Sequence, residues 1–175
     1  MTGSSGANTG SVGGSGRLER DGEKASVVFR RLLRHPINDV WAAITDPVQL
    51  ESWGMVRVTR EEAQGGRVEM AYANGVHATG RVLEWSPPRV YEYEWNLPPG
   101  PNLPDGEASV VRWELSPVEE GTLVVLTHRR LSRQTAEVFV RGLTAFLARL
   151  AAFMDGTPMP DPPWGSGSVE PGHAG

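Results

Sequence analysis

Aromatic side chains with polar tips are concentrated in two short stretches of this sequence. Tyr91, Tyr93 and Trp95 alternate with glutamates, and Val111 and Trp113 alternate with charged residues in the same way. Side chains two positions apart in a strand point to the same face of a sheet, so these residues are predicted to share one face. Tyrosine and tryptophan each combine a large apolar surface with one hydroxyl or N–H group. This combination favours a cavity for a small apolar or aromatic molecule over a plain hydrophobic core.

Residue types that perform metal, nucleophilic or acid–base chemistry are sparse. The chain has no cysteine, and its four histidines show neither the HxH nor the HExxH spacing of metal sites. Glu92 and Glu94 follow the strand alternation, which predicts a solvent-exposed face and not an acid–base pair. The sequence therefore predicts no metal, no cofactor and no catalytic residue, although a cyclase would need little beyond the shape of its cavity.

One basic residue, Arg31, shares a predicted strand face with Phe29 and Leu33. A guanidinium on an apolar face needs a partner, because an unpaired buried charge is costly. Two alternatives remain open for Arg31. It pairs with an acidic side chain at the rim of the cavity, or it binds an anionic group of a ligand.

The element that must cover the aromatic face is a long helix. Residues 134–154 carry apolar side chains at steps of three and four, including Phe139, Leu143 and Leu150. This spacing predicts one broad apolar face on a helix about 30 Å long. Gly156 fits a left-handed cap that ends it. Phe139 and Leu143 lie near the start of the helix and are predicted to border the cavity.

Seven other stretches show the alternation or the β-branched content of strands. The first is followed by two short helices, at residues 37–44 and after Asp46-Pro47, and Asn74-Gly75 is a strong hairpin signal. Successive hairpins predict an antiparallel meander, and hence an α+β fold. The seven predicted strands are residues 25–34, 55–60, 66–73, 76–85, 89–95, 107–115 and 122–130.

Composition predicts one folded domain, residues 18–156, between two disordered ends. Residues 1–17 are rich in Gly, Ser, Thr and Asn, and residues 157–175 contain five prolines. The net charge of −4 argues against nucleic-acid binding. No apolar run approaches the roughly 20 residues of a membrane helix, and residues 1–17 do not resemble a signal peptide. The absence of cysteine suits a cytoplasmic protein.

The predicted order of elements, β–αα–β6–α, and the residues from Arg31 to Trp53 resemble a known family. The similarity rests on Arg31, a following proline, the segment VWAAITDP at residues 40–47, and then Leu50 and Trp53. These features are similar to the activator-of-heat-shock-chaperone-ATPase-like (AHSA-like) branch of the START and birch-pollen-allergen-like (SRPBCC) superfamily. The resemblance covers roughly residues 27–156. Leu143 departs from the branch, which often has tryptophan after the glycine.

This resemblance implies a helix-grip fold, in which a curved antiparallel sheet of about seven strands wraps around a long C-terminal helix. It also implies a cavity that holds small apolar molecules in many relatives, few of which are enzymes. His128 is placed inward by the resemblance, either as a hydrogen-bonded core histidine or as a polar group of the cavity. The predicted ligand-binding residues are Tyr91, Tyr93, Trp95, Val111, Trp113, His128, Phe139, Leu143 and Arg31.

Three functions follow as alternatives. The first is binding of a small apolar or aromatic molecule by a cytoplasmic carrier, sensor or sequestering protein, which is a monomer or a homodimer. The second is a polyketide cyclase or aromatase, and the third is a co-chaperone that stimulates a heat-shock chaperone ATPase. The mouth of the cavity is predicted between the proline-rich residues 96–106 and the first turns of the helix, with residues 96–106 as a lid.

Overall fold

Eight strands form one curved antiparallel sheet in the computed structural model, which describes residues 16–101 and 103–163. The order across the sheet is β1-β2-β8-β7-β6-β5-β4-β3, so only the step from β2 to β3 leaves the meander. The strands are β1 (Arg17–Asp21), β2 (Lys24–Leu33), β3 (Val56–Arg60), β4 (Arg67–Tyr72), β5 (His77–Ser86), β6 (Val90–Leu97), β7 (Glu107–Val118) and β8 (Gly121–Ser132).

The helices lie where the sequence predicts them. Two short helices, α1 (Ile37–Thr45) and α2 (Pro47–Gln49), connect β2 to β3, and a π-helical turn (Leu50–Gly54) continues α2. The long helix α3 (Arg133–Asp155) follows β8. Its N-cap is Ser132, whose side chain accepts a hydrogen bond from the backbone N–H of Thr135, and Gly156 ends it in the left-handed conformation at φ 69°.

The predicted α+β helix-grip fold is confirmed, with one strand more than the seven expected. The additional strand, β1, pairs with β2 along its length, from Arg17 opposite Val28 to Asp21 opposite Lys24. Four of its five residues are exposed and only Leu18 is half-buried. An edge strand with so little burial leaves no apolar alternation, which is why the sequence did not reveal it.

The convex face of the sheet is charged, as the glutamates between the aromatic residues predict. Glu92 accepts hydrogen bonds from Arg129 at 2.6 Å and from Arg112 at 3.3 Å, and Arg112 also binds Glu114 at 2.7 Å. Burial opposes ionisation of Glu92, but the two guanidinium groups outweigh it and hold the pKa of this carboxyl below its ordinary value. These residues form a structural ion-pair network on the face away from α3.

Trp53 and Trp41 pack the two short helices against different parts of the domain. Trp53 is fully buried, donates its indole N–H to the carbonyl of Ala43 at 2.8 Å and lies 4.8 Å from the ring of Phe146 on α3. Trp41 instead packs on the sheet, with ring centroids 5.2 Å from Trp85 and 6.5 Å from Tyr91.

The chain ends were predicted to be disordered over residues 1–17 and 157–175, and most of both ranges lies outside the described residues. Arg17 already belongs to β1. Beyond α3, Arg149 donates from Nε to the carbonyl of Trp53 at 2.8 Å and from Nη1 to the carbonyl of Pro160. Pro163 lies beside Gly142 of α3. In the described part of the chain, no helix is long and apolar enough to cross a membrane.

Candidate functional site

A cavity of about 570 Å³ lies between the concave face of the sheet and α3. Its lining is mainly apolar and aromatic, and it draws on strands β3, β4, β6, β7 and β8, the turn between β4 and β5, α1, the π-helical turn and α3. Most of the lining residues belong to the sheet and to α3. The complete lining is Ile44, Leu50, Trp53, Val56, Val58, Met70, Tyr72, Asn74, Val76, Tyr93, Trp95, Val111, Trp113, Leu126, His128, Val138, Phe139, Arg141, Gly142, Leu143, Ala145, Phe146 and Pro163.

Strand alternation places the central wall of the cavity. Tyr93 pairs with Val111 between β6 and β7, and Val111 pairs with His128 between β7 and β8. Directly paired residues of antiparallel strands point to the same face, so these side chains form one row across the sheet. Trp113 pairs with Leu126 in the next row and faces the same way. These side chains therefore form a continuous part of the cavity wall across β6, β7 and β8.

The rings of His128, Trp95 and Phe139 form a cluster of three in the cavity wall. The ring centroid of His128 is 5.2 Å from Trp95 and 5.2 Å from Phe139, and the Trp95 and Phe139 rings are 5.6 Å apart. Trp95 meets both neighbours edge to face, the arrangement that aromatic pairs favour. Phe139 projects from α3, so this cluster joins the helix to the sheet at the cavity wall.

A hydrogen bond with the neighbouring strand β7 fixes the orientation of the His128 ring. Nε2 lies 2.7 Å from Oγ of Ser109, and Ser109 donates its hydroxyl proton to the carbonyl of Trp95 at 2.7 Å. Only 4% of His128 is exposed, and burial lowers its pKa to about 3. The imidazole is therefore neutral at physiological pH.

Tyrosine hydroxyls provide the other polar groups of the interior. Trp95 donates its indole N–H to the hydroxyl of Tyr72 at 3.0 Å. Burial raises the pKa of Tyr72 to about 12, more than the contact with Trp95 lowers it. Burial likewise raises the pKa of Tyr93 well above its ordinary value, with a small opposing effect of the Trp113 side chain. Both phenols stay protonated and uncharged.

The mouth of the cavity differs from the predicted one. The solvent-exposed lining residues are Val138, Arg141 and Pro163, and the β4–β5 hairpin contributes the half-buried lining residues Asn74 and Val76. Among the described residues of 96–106, none lines the cavity. The opening therefore lies between the outer side of α3 and the β4–β5 hairpin.

A buried carboxylate explains why the predicted entrance is closed. Glu107, the first residue of β7, accepts hydrogen bonds from the backbone N–H of Ser132 at 2.5 Å and from Oγ1 of Thr135 at 3.3 Å. These bonds fasten the start of α3 to the end of the 96–106 loop. Leu97, at the start of the predicted lid, packs against the core.

Seven of the nine predicted ligand-binding residues line the cavity, and two do not. The seven are Tyr93, Trp95, Val111, Trp113, His128, Phe139 and Leu143. Tyr91 is buried behind Tyr93, with ring centroids 4.6 Å apart, and it faces Arg60, whose guanidinium lies 5.3 Å from its ring. Arg31 lies outside the cavity on β2. Burial lowers the pKa of Arg31 and the charge of Asp155, at the end of α3, raises it.

The strands β3 and β4 supply lining residues that the sequence analysis did not name. Val56, Val58, Met70 and Tyr72 alternate along these strands and all face inward. The alternation was visible in the sequence, but these strands were predicted only as parts of a sheet and not as cavity wall. Among the described residues, no group of three or more His, Cys, Asp or Glu side chains could hold a metal ion.

Solved structures with this fold are numerous, and several are similar over most of the chain. Protein MLL2253 from Mesorhizobium loti has a TM-score of 0.68 at 27% identity, over 76% of this chain and 98% of that one. CalU16 from Micromonospora echinospora has a TM-score of 0.67 at 27% identity, over 81% and 85%. The protein encoded by BPP1335 from Bordetella parapertussis has a TM-score of 0.65 at 28% identity, over 83% and 81%.

Among curated proteins, no sequence matches this chain. The family model described as "Activator of Hsp90 ATPase homolog 1-like protein" matches residues 34–155. The match begins just after β2 and ends with α3, so it includes the short helices, six of the eight strands and the helix that covers the sheet. The chain therefore belongs to the family of Activator of Hsp90 ATPase homolog 1-like proteins, within the START and birch-pollen-allergen-like (SRPBCC) superfamily.

Proposed function

We propose that this protein binds a small apolar or aromatic molecule in the cavity between the sheet and α3, as a carrier, sensor or sequestering protein. The observation that carries the proposal is the cavity itself, about 570 Å³ in volume and lined mainly by apolar and aromatic side chains. Volumes of roughly 300–1,000 Å³ are typical of small-molecule sites. A domain that needed only a stable core would fill this space, because protein interiors are packed to nearly crystalline density.

The electrostatics of the lining favour an uncharged ligand. His128 is neutral, and Tyr72 and Tyr93 are protonated phenols. Among the described lining residues, Arg141 alone carries a charge, and it is exposed at the mouth. A charged group moved into the interior would lose its hydration without gaining a counter-ion there.

A matched pair of helix variants tests this proposal with pyrene as a fluorescent probe. Leu143→Trp places an indole in the cavity, whereas Thr144→Trp places the same indole on the exposed side of the same helix. The wild-type protein and Thr144→Trp are expected to bind pyrene equally, and Leu143→Trp at least tenfold more weakly. If pyrene does not bind the wild-type protein, or if Leu143→Trp binds it as well as Thr144→Trp, the cavity is not a ligand site.

A chaperone role is a second candidate, supported by the description of the matching family. In this proposal the protein would stimulate the ATPase of a heat-shock chaperone through its surface. An ATPase assay of a purified Hsp90-type chaperone, with and without this protein, tests it directly. An unchanged rate at saturating protein would remove the candidate.

In the cyclase or aromatase alternative, the cavity would position a reactive chain, and His128 is the lining residue that could exchange protons with it. Its pKa of about 3 makes it a weak base at neutral pH, which favours a hydrogen-bonding role. A cytoplasmic location, suggested by the absence of cysteine, and a monomeric or homodimeric state belong to the same proposal.

A further inference from the structure

The hydroxyl of Ser109 determines which nitrogen of His128 carries the proton. Ser109 Oγ has one proton, and a carbonyl oxygen can only accept, so the 2.7 Å bond to the Trp95 carbonyl uses that proton. The 2.7 Å contact between Ser109 Oγ and His128 Nε2 must then run the other way, with Nε2–H donating to Oγ. His128 is therefore the tautomer with its proton on Nε2.

This tautomer leaves a lone pair on Nδ1 inside the cavity wall. In the part of the chain that the structure describes, the hydrogen bond of the His128 ring is the one between Nε2 and Ser109, and no donor bonds to Nδ1. The rings of Trp95 and Phe139 lie 5.2 Å from the imidazole. The neutral state of His128 keeps the lone pair available at physiological pH. His128 lines the cavity, so an apolar ligand that excludes water from this wall leaves Nδ1 without a donor, and a ligand that brings its own donor avoids that loss of free energy.

The hydroxyl of Tyr72 can donate a hydrogen bond inside the cavity, whereas Nδ1 of His128 accepts one. The Tyr72 oxygen already accepts the indole N–H of Trp95, and its own proton points to the weak acceptor Sδ of Met70 at 3.7 Å. Toward a ligand, the Tyr72 hydroxyl can therefore donate in place of its weak bond to Met70, whereas Nδ1 of His128 accepts. The two groups flank Trp95 on either side, at ring distances of 6.2 Å and 5.2 Å.

We propose that His128 selects for uncharged hydroxyaromatic ligands, whose hydroxyl group donates a hydrogen bond to Nδ1 while the ring packs against Trp95 and Phe139. This inference rests on the proposed binding function and specifies the class of ligand. A phenolic hydroxyl supplies the missing donor, and a planar ring matches the aromatic walls on both sides. A ligand of the same size without a donor would leave Nδ1 unsatisfied.

Three probes of similar shape separate this inference from the proposed function. Fluorescence titrations at pH 7 measure the Kd of 1-hydroxypyrene, 1-methoxypyrene and pyrene. The wild-type protein is expected to bind all three, with 1-hydroxypyrene favoured about fivefold to tenfold over the methyl ether, the value of one net hydrogen bond. Failure of all three to bind refutes both proposals. Equal binding of all three supports the cavity but overturns the selection by His128.

Two variants assign the preference to Nδ1. His128→Phe removes the acceptor and is expected to bind 1-hydroxypyrene and 1-methoxypyrene equally. Val111→Ala is the matched control, because Val111 pairs directly with His128 across β7 and β8 and lines the same wall. Val111→Ala is expected to raise the Kd of all three probes by the same factor and to keep the preference for 1-hydroxypyrene over 1-methoxypyrene. A preference that survives His128→Phe overturns the inference.

A measurement on the wild-type protein covers the case in which His128→Phe does not fold. Nitrogen-15 NMR of histidine-labelled protein distinguishes a protonated from an unprotonated ring nitrogen. Nε2 of His128 is expected to be protonated in the free protein, and the Nδ1 resonance is expected to shift on addition of 1-hydroxypyrene but much less with 1-methoxypyrene. A proton on Nδ1 in the free protein, or equal shifts with both probes, would contradict the proposal.

Discussion

Burial of His128 makes the stability of the folded protein depend on pH. The folded-state pKa of His128 is lowered from the ordinary value of 6.5 to about 3. Between these values the unfolded chain binds a proton that the folded protein does not bind. The free energy of unfolding therefore falls as the pH falls below about 6.5, and the contribution is fully present only above that pH.

The size of this effect follows from the two pKa values. At pH 4.5 the unfolded histidine is two units below its pKa of 6.5, while the folded one, at about 3, is still largely neutral. At about 1.36 kcal/mol per unit, and with the small effect at pH 7 subtracted, His128 alone lowers the free energy of unfolding by about 2.5 kcal/mol between pH 7 and pH 4.5. Because pH 4.5 lies well above the folded-state pKa, a change of one unit in that pKa alters the result little.

His128→Gln isolates this contribution, because glutamine stays neutral and still offers an N–H donor to Ser109. Urea unfolding followed by tryptophan fluorescence at pH 7 and pH 4.5 gives the free energy of unfolding of each variant. Carboxylates also titrate in this range, so the informative quantity is the difference between variants. The wild-type protein is expected to lose about 2.5 kcal/mol more than His128→Gln.

His77 offers the matched control, since it is exposed on β5. His77→Gln is expected to lose the same free energy as the wild-type protein over this interval. If His128→Gln and the wild-type protein lose equal amounts, His128 is not held neutral by burial. The tautomer argument would then lose its support as well.

Three further predictions concern α3 and its attachments. Leu150→Ala is expected to lower the free energy of unfolding by about 2–5 kcal/mol, because this side chain is 1% exposed in the core. Leu143→Ala is expected to lower it less, because Leu143 already borders the cavity, and equal losses in urea unfolding would mean that the core is filled. Arg149→Met is expected to cost about 2–3 kcal/mol by removing the bonds to the Trp53 and Pro160 carbonyls, and an unchanged midpoint would show that these bonds contribute nothing. Glu107→Gln is expected to cost about 1–3 kcal/mol, because Ser132 and Thr135 bind different carboxylate oxygens and the variant replaces one of these oxygens with an NH2 group. Hydrogen exchange of the first turn of α3 should become faster, and unaltered exchange would contradict this role.

The faces of the strands and of α3 could be predicted from the sequence because they depend on local periodicity. Tyr93, Trp95 and Trp113 face inward since strand side chains alternate, and α3 ends at Gly156 since a glycine adopts the left-handed conformation without strain. The order of elements, together with residues 31–53, was sufficient to indicate the family. The exposed strand β1 was missed because four of its five side chains are in solvent and carry no pattern.

The mouth of the cavity and the polarity of its wall depend on tertiary contacts. The entrance at residues 96–106 is closed because Glu107 bonds to Ser132 and Thr135, which follow it by 25 and 28 residues. Tyr91 and Arg31 share the periodicity of residues that line the cavity, yet they lie outside it, because the position of α3 determines which part of the inward face stays uncovered.

The sequence by itself determined the α+β class and the inward-facing aromatic residues, because both follow from side-chain periodicity and hairpin signals, and the resemblance of residues 31–53 added the helix-grip fold. Only the tertiary structure decided that a cavity remains, where it opens, and that His128 presents an acceptor to it. The proton on Nε2 depends on Ser109, which is 19 residues away in sequence and adjacent only through the pairing of β7 with β8. Side-chain hydrogen bonds between residues far apart in sequence have no periodicity from which they can be predicted, so the hydrogen-bonding groups of the cavity wall are visible only in the folded protein.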